Sequence, residues 1–281
     1  MSYKTIVVSI DNEADARRIL PVATRVARQF DAHLIGVHCV QNMEMYASVS
    51  MQLSGKALAE MNEIQEQHAK EVHAVFEEMA RAENFVSEWR QVDTSSAATG
   101  ERLAEQIRCA DLVIMSQVDP EHAHPGPATI QRHVIEHGGR PVLVVPRFGN
   151  FEHIGQRTLI GWSGTGQCSR AVHDAIPFCQ NGKQTNLFWV SGNDKEANAK
   201  LEQSGHEMAV ALDRHGIKAT VSHRAKSDIP IGDELLNEAA DSDIDLIVTG
   251  AYGHSRLYDF VIGATTSHLL RFMTTPVLFS R

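Results

Sequence analysis

The chain has 281 residues, of which 43% are hydrophobic and 22% charged, a globular composition with enough apolar material for one large or two ordinary domains. Its formal net charge of -9 disfavours nonspecific nucleic-acid binding, because no basic surplus is available to neutralise a phosphate backbone. The sequence shows no apolar leader and no run of apolar residues long enough to span a membrane, so we expect a cytoplasmic protein. The four cysteines form no C-x-x-C pair, which indicates neither a zinc knuckle nor a disulfide framework.

Short apolar runs alternate with stretches of helical periodicity along the first half of the chain. The helices are marked by apolar residues spaced three and four apart, as in residues 19–30 and 61–79. The predicted strands are 5–10, 33–40, 86–92, 111–115 and 141–145.

The second half repeats this order. Asp245 to Thr249 resembles Asp111 to Met115, and each half closes with a short apolar strand after a proline, at Pro141 and Pro276. The second-half helices are predicted near 166–180, 195–215, 232–241 and 256–273. The strands are predicted at 158–162, 186–190, 218–223, 245–249 and 276–280.

Alternating strands and helices indicate βα crossover units and parallel sheets covered on both faces. We therefore expect an α/β protein of two tandem doubly wound domains, each a five-stranded, mostly parallel sheet with helices on both faces. Residues 147–156 lack periodicity and are interpreted as a linker, which places the domains at 1–147 and 155–281.

A glycine-rich segment follows the fourth strand of the second half, where such sheets bind ligands. Gly250, Gly253 and Gly263 are spaced Gly-x2-Gly-x9-Gly, and Ala264, Thr265 and Thr266 then open a helical run. A glycine before small and hydroxyl residues at a helix N-terminus presents free N–H groups to an anion. Gly250 could turn sharply or let a ligand approach the backbone. The alternative interpretation is that these glycines serve turns and close packing.

With this spacing, nearly the whole chain resembles the tandem type of the universal stress protein family. The resemblance rests on the three glycines, on the Pro276-Val277-Leu278 strand and on the first strands at 6–12 and 159–165. It implies that the C-terminal domain binds ATP, with or without Mg²⁺, in a stress-response protein. Carried onto this sequence, the family pattern assigns ligand contacts to Trp162, Ser163, Val190, Gly250, Gly253, Gly263, Ala264, Thr265 and Thr266.

The chain departs from the family pattern at two of these positions. Ser163 stands where an acidic residue is common, and Ala264 stands where serine is frequent. Both changes are expected to reduce affinity for the nucleotide. Thr265 and Thr266 retain hydroxyl groups for the phosphates.

The first half has lost the glycine-rich loop. Ser116 stands at the position of Gly250, and the segment after it holds three prolines, Asp119 and Glu121. Proline removes N–H donors and the acids repel phosphate, so we expect the first domain to bind ATP weakly or not at all although Asp11 survives. The resemblance further implies that the last strands of the two domains pair within the chain, and that two chains can form a homodimer.

No nucleophile or metal-activated water is indicated, so no catalytic residue is assigned and any ATP hydrolysis is expected to be slow. His122, His124, His133 and His137 are interpreted as surface or packed histidines rather than a metal site. His254, Ser255 and Arg256 lie near the expected phosphates, as ligand contacts or as solvated loop residues. The alternative functions are a slow ATP hydrolase or phosphotransferase and a protein-interaction module that no longer binds nucleotide.

Overall fold

The computed structural model describes residues 2–41, 55–95, 98–119, 125–253 and 263–281. The chain forms two compact units. The N-terminal unit comprises residues 3–140, and the C-terminal unit comprises residues 141–281 together with the extreme N-terminus.

The N-terminal unit is a parallel sheet with the strand order β3-β2-β1-β4. Its strands are buried on both faces in the centre, as their continuous apolar sequences predict. The described strands are β1 (Thr5–Ser9), β2 (His33–Gln41), β3 (Ser87–Thr94) and β4 (Leu112–Ser116), and the helices are α1 (Glu13–Phe30), α2 (Gly55–Arg81), α3 (Thr99–Ile107) and α4 (Pro125–His137).

The C-terminal unit has the strand order β5-β10-β9-β6-β7-β8. All of its neighbouring strands are parallel except β5 and β10, which run antiparallel. The strands are β5 (Val142–Val145), β6 (Arg157–Gly161), β7 (Gln184–Ser191), β8 (Ala219–Ala225), β9 (Leu246–Gly250) and β10 (Val277–Ser280), and the helices are α5 (Gly166–Asp174), α6 (Ile176–Asn181), α7 (Lys195–Arg214), α8 (Ile231–Asp241) and α9 (Ala264–Phe272).

The predicted α/β class with a mostly parallel sheet and helices is confirmed, while the strands divide four and six between the compact units rather than five and five. The cause is β5, whose Leu143 stands opposite Leu278 of β10. This is the expected pairing of the last strands, and it covers a buried apolar edge of β10. Along the chain, the boundary between the two compact units therefore falls between Arg140 and Pro141.

The segment interpreted as a linker is packed onto the C-terminal unit. The carboxylate of Asp245 accepts hydrogen bonds from the N–H groups of Gly155, Gln156 and Arg157, at 2.7 to 3.2 Å. Asp111 holds the start of β1 in the same way, through the N–H groups of Lys4 and Thr5. The repeated aspartate before the fourth strand of each half thus fixes where the first strand begins.

Two helix boundaries differ from the prediction. The helix expected over 166–180 is two helices, because Pro177 lies in the first turn of α6 and has no N–H to continue α5. Of the helix expected over 256–273, α9 begins at Ala264, and residues 254–262 lie outside the described residues. Among the described helices, none is long and apolar enough to cross a membrane.

Candidate functional site

The strand order of the C-terminal unit reverses between β6 and β9. The chain winds outward from β6 through β7 and β8 on one side, and β9 and β10 lie on the other. The loops that leave the carboxyl ends of β6 and β9 therefore diverge and leave a crevice between them. This is the place at which the sequence predicts a ligand.

A cleft lies at this point and contains about 910 Å³ of empty space, part of it open to solvent. All nine residues predicted to contact the ligand line this one cleft, although they come from four separate stretches of the chain. They are Trp162, Ser163, Val190, Gly250, Gly253, Gly263, Ala264, Thr265 and Thr266.

The N-terminus of α9 opens into the cleft. Gly263 is the N-cap and adopts the left-handed conformation, with φ 82°, and no described side chain caps the helix. Ser267 is the first residue whose N–H bonds inside the helix, to the carbonyl of Gly263 at 2.8 Å. The N–H groups of Ala264, Thr265 and Thr266 precede it and have no intrahelical acceptor. With no acidic residue in the first turn, this end of the helix favours an anion.

Tyr252 fixes the position of this helix end and was missed by the sequence analysis. Its N–H donates to the hydroxyl oxygen of Thr266 at 3.2 Å, and both residues are buried. A Cβ on Gly263 would lie 2.7 Å from the Tyr252 ring. Thr266 therefore has a structural bond in addition to the predicted role, and Gly263 is required both by its φ angle and by the ring beside it. The tyrosine's place between Gly250 and Gly253 was the only signal in the sequence.

Gly250 packs closely against a neighbouring helix. A Cβ at Gly250 would lie 2.6 Å from the backbone nitrogen of Cys168 and 2.7 Å from the carbonyl carbon of Gln167. It would therefore collide with the first turn of α5. The glycine lets α5 pack against the end of β9, and Gly253 similarly faces the Gln167 side chain. Both glycines thus serve close packing while they also line the cleft, and the approach of a ligand to the backbone at Gly250 stays a prediction.

Ser163 and Thr165 form the wall on the β6 side. Their hydroxyl oxygens are 2.9 Å apart, and Thr165 caps α5 by accepting from the N–H of Cys168 at 3.3 Å. The first turn of α5 contains no acidic residue. A second helix N-terminus with a neutral cap thus lies beside the first.

The cleft also has apolar side chains in its lining. They are those of Phe188, Trp189, Leu201, Ile231 and Leu235, and none of them was predicted. The indole N–H of Trp162 donates to the Ser204 hydroxyl at 3.1 Å, so its polar atom is already satisfied. Leu201, Ile231 and Leu235 lie on helices, and the sequence alone does not distinguish them from ordinary core residues. Helical spacing of apolar residues does not reveal whether that face of the helix packs on a sheet or lines a cleft.

The described side chains that line the cleft carry no formal charge. An anion here would be held by main-chain N–H groups and hydroxyls. His254, Ser255 and Arg256 lie outside the described residues.

The equivalent strand ends of the N-terminal unit carry different groups. Gln131 of α4, at the position of Thr266, is buried and donates through its side-chain amide to the carbonyl of Ser116 at 2.7 Å. The first turn of α1 holds Glu13 and the buried Asp15, whose carboxylate accepts from the N–H of Asp11. Asp11 keeps exposed surface, yet the surrounding protein and Asp15 raise its pKa to about 6, against the opposing effect of Arg18.

No group of three metal-ligating side chains was found in the part of the chain that the structure describes. His133 and His137 of α4 lie with their ring centres 4.7 Å apart, and the ring of His133 packs on Gly100. His122 and His124 lie outside the described residues.

The sequence profile of the universal stress protein family matches residues 2–146 and 182–281. The chain belongs to the universal stress protein family. A universal stress protein of the cyanobacterium Synechocystis is 27% identical over 152 residues, which cover 50% of this chain and 47% of the relative. The chain therefore spans about half the length of that curated relative.

Solved structures of low sequence identity share the fold over the full length. A universal stress protein from Archaeoglobus fulgidus has a TM-score of 0.72 at 12% identity, covering 98% of this chain and 96% of its own. A functionally unknown protein from Pseudomonas aeruginosa has a TM-score of 0.59 at 16% identity, covering 99% and 92%. These similarities support the tandem arrangement of two family domains.

Proposed function

We propose that the C-terminal unit binds ATP, as a signal or structural ligand of a cytoplasmic stress-response protein. The observation that carries the proposal is the first turn of α9, Ala264 to Thr266, which no described side chain caps and which lines a cleft together with several apolar side chains. The phosphates would accept hydrogen bonds from this turn and from the hydroxyls beside it. The adenine would pack among Trp162, Val190 and the apolar residues of α7 and α8.

Membership of the universal stress protein family supports the stress-response role, and the four free cysteines agree with a reducing cytoplasm. Mg²⁺ would be carried in by the nucleotide, because the described lining offers it hydroxyls rather than carboxylates. The proposal also includes a homodimer of two chains, which a measurement of the molecular mass in solution would test.

The direct test is calorimetric titration of ATP, adenosine and inorganic pyrophosphate into the full chain. The full chain is needed because a fragment starting at residue 155 would lack β5 and expose the edge of β10. We expect ATP to bind more tightly than adenosine or pyrophosphate, since only ATP can use both the N–H groups of α9 and the apolar lining. Absence of binding by all three, together with no small molecule retained through purification, would favour the protein-interaction alternative.

A turnover assay shows whether ATP is only bound as a ligand or is also hydrolysed as a substrate. ADP release that is lost in Gly263→Asp would assign a slow hydrolase activity to this cleft. Release that is unchanged by the substitution would come from elsewhere.

A further inference from the structure

A histidine and a carboxylate join two walls of the cleft behind the proposed phosphate site. The ring nitrogen Nε2 of His268, on α9, lies 2.7 Å from Oδ1 of Asp233, on α8. The first turn of α9 lines the cleft with Ala264, Thr265 and Thr266, and α8 contributes Ile231 and Leu235 to the same lining. The pair therefore connects two neighbouring helices that both line the proposed ligand site.

The histidine is held closely against α8. A Cβ on Gly232 would lie only 2.5 Å from Cδ2 of His268, so the ring rests directly on the α8 backbone. Its other side meets Phe272, with ring centres 4.7 Å apart. His268 is largely buried, whereas Asp233 is about 39% exposed. The ring has little freedom to rotate away from the carboxylate.

In the N-terminal unit the equivalent histidine packs on a glycine in the same way, but it does not bond the equivalent carboxylate in the described part of the chain. His133 stands at the position of His268, and a Cβ on Gly100 would lie 3.1 Å from it, so the packing of a histidine on a glycine recurs. Glu101 stands at the position of Asp233, yet among the described contacts it makes no ion pair with His133, whose ring meets His137 instead. Packing of the two helices therefore does not require the carboxylate.

Thr266 and His268 hold α9 from two directions. Thr266 bonds the loop after β9 through Tyr252, and His268 bonds α8 through Asp233. A helix end that is fixed from both sides keeps its N–H groups aimed at one point, which lowers the cost of ordering them around an anion. We infer that His268 and Asp233 are positioning residues, which set the placement of the proposed phosphate-binding turn without touching the ligand. This inference rests on the proposed function.

The test compares Asp233→Ala with Glu101→Ala in the full chain. Each substitution removes a carboxylate from the first turn of the equivalent helix, but only the first breaks a bond to a histidine. We expect Asp233→Ala to weaken ATP about three- to tenfold, the effect of losing one hydrogen bond, while adenosine affinity changes less than twofold. Glu101→Ala should leave both affinities unchanged.

A second readout needs no nucleotide. In the free protein, amide hydrogen exchange across residues 264–272 should be faster in Asp233→Ala than in the wild type, and unchanged in Glu101→Ala. His268→Gln combined with Asp233→Ala should weaken ATP no more than either change alone, because both remove the same bond.

Equal loss of ATP and adenosine binding would reduce the pair to general stability and overturn the inference, as would unchanged ATP affinity with unchanged exchange. Faster exchange in a protein whose wild type binds no ATP would refute the proposed function and the ligand role of the pair together, while showing that the pair does order α9. The two failures are thus distinguishable.

Discussion

In the N-terminal unit the amide of Gln131 reaches across to the end of β4, whereas in the C-terminal unit the shorter Thr266 leaves the end of β9 facing a cleft. The helix after the first strand differs in the same sense. It starts with Glu13 and Asp15 in the N-terminal unit and with no acidic residue in the C-terminal unit. Among the described residues, one scaffold therefore presents a strand end bridged by a side chain and flanked by acids in one unit, and an uncharged cleft lining with uncapped helix N–H groups in the other. In this fold a few side chains, rather than the topology, set the chemistry of the strand ends.

The largest expected effect on the difference between the two units comes from an acidic residue at the N-cap of α9. Gly263→Asp puts a carboxylate beside the proposed phosphates and forces a side chain onto a residue with φ 82°. We expect ATP affinity to fall roughly 100-fold, as like charges at short range predict. Calorimetric titration measures it.

Gly139→Asp is the matched control. Gly139 is exposed, has φ 67° and has nothing near its Cβ position, so it imposes a similar backbone cost away from the cleft. Loss of ATP binding in this variant would show that strain, rather than charge at the site, explains the effect.

Exchanging the equivalent residues sharpens the comparison. Thr266→Gln should fill part of the cleft as Gln131 does in the N-terminal unit, and it removes the hydroxyl that accepts from Tyr252. We expect about a tenfold loss of ATP affinity, from a displaced helix end and a lost hydrogen bond. Gln131→Thr should leave ATP affinity as in the wild type. An unaffected Thr266→Gln protein would mean that this residue does not decide which unit binds.

The end of β4 in the N-terminal unit holds a buried polar group that we expect to lower the stability of the fold. The Ser116 hydroxyl is buried without a partner among the described residues. Ser116→Ala should raise the free energy of unfolding by about 0.5 to 1 kcal/mol, since it removes an unsatisfied polar group. Urea denaturation measures the difference, and a destabilised variant would show that the hydroxyl is satisfied in solution.

The smallest effect is a pH dependence at Asp11. Its pKa is about 6 in the folded protein, above the ordinary 3.8, so the folded state binds this proton more tightly than the unfolded state. The protein therefore loses stability as the pH rises from about 4 to about 6, where only the unfolded state releases the proton, and the loss is complete above this range. Asp11→Asn should raise the melting temperature at pH 8 and leave it nearly unchanged at pH 3, where both states are protonated.

Asp213→Asn, at an exposed position of α7, controls for the loss of one negative charge and should show no such dependence. A gain for Asp11→Asn that is equal at both pH values would contradict the raised pKa.

The repeat in the sequence was sufficient to predict the α/β class, because Asp111 and Asp245 mark equivalent strands and Pro141 and Pro276 precede equivalent final strands. Apolar runs of strand length that alternate with amphipathic helices predict a parallel sheet covered by helices on both faces. Of the nine predicted contact residues, those from Gly250 to Thr266 also followed from glycine spacing and a helix start, which are local features. Trp162, Ser163 and Val190 were assigned by the family resemblance. All nine line one cleft, and their contact with a nucleotide stays a prediction.

Tertiary structure alone decided three matters. Gly250 faces Gln167 and Cys168 of α5, although three helices and two strands lie between these segments in the sequence. Leu201, Ile231 and Leu235 turn toward the cleft although their helical pattern is that of any buried face. The bond between His268 and Asp233 depends on how α8 and α9 pack side by side. Local pattern determines which elements form, whereas the partners of each surface are set by long-range packing that periodicity does not encode.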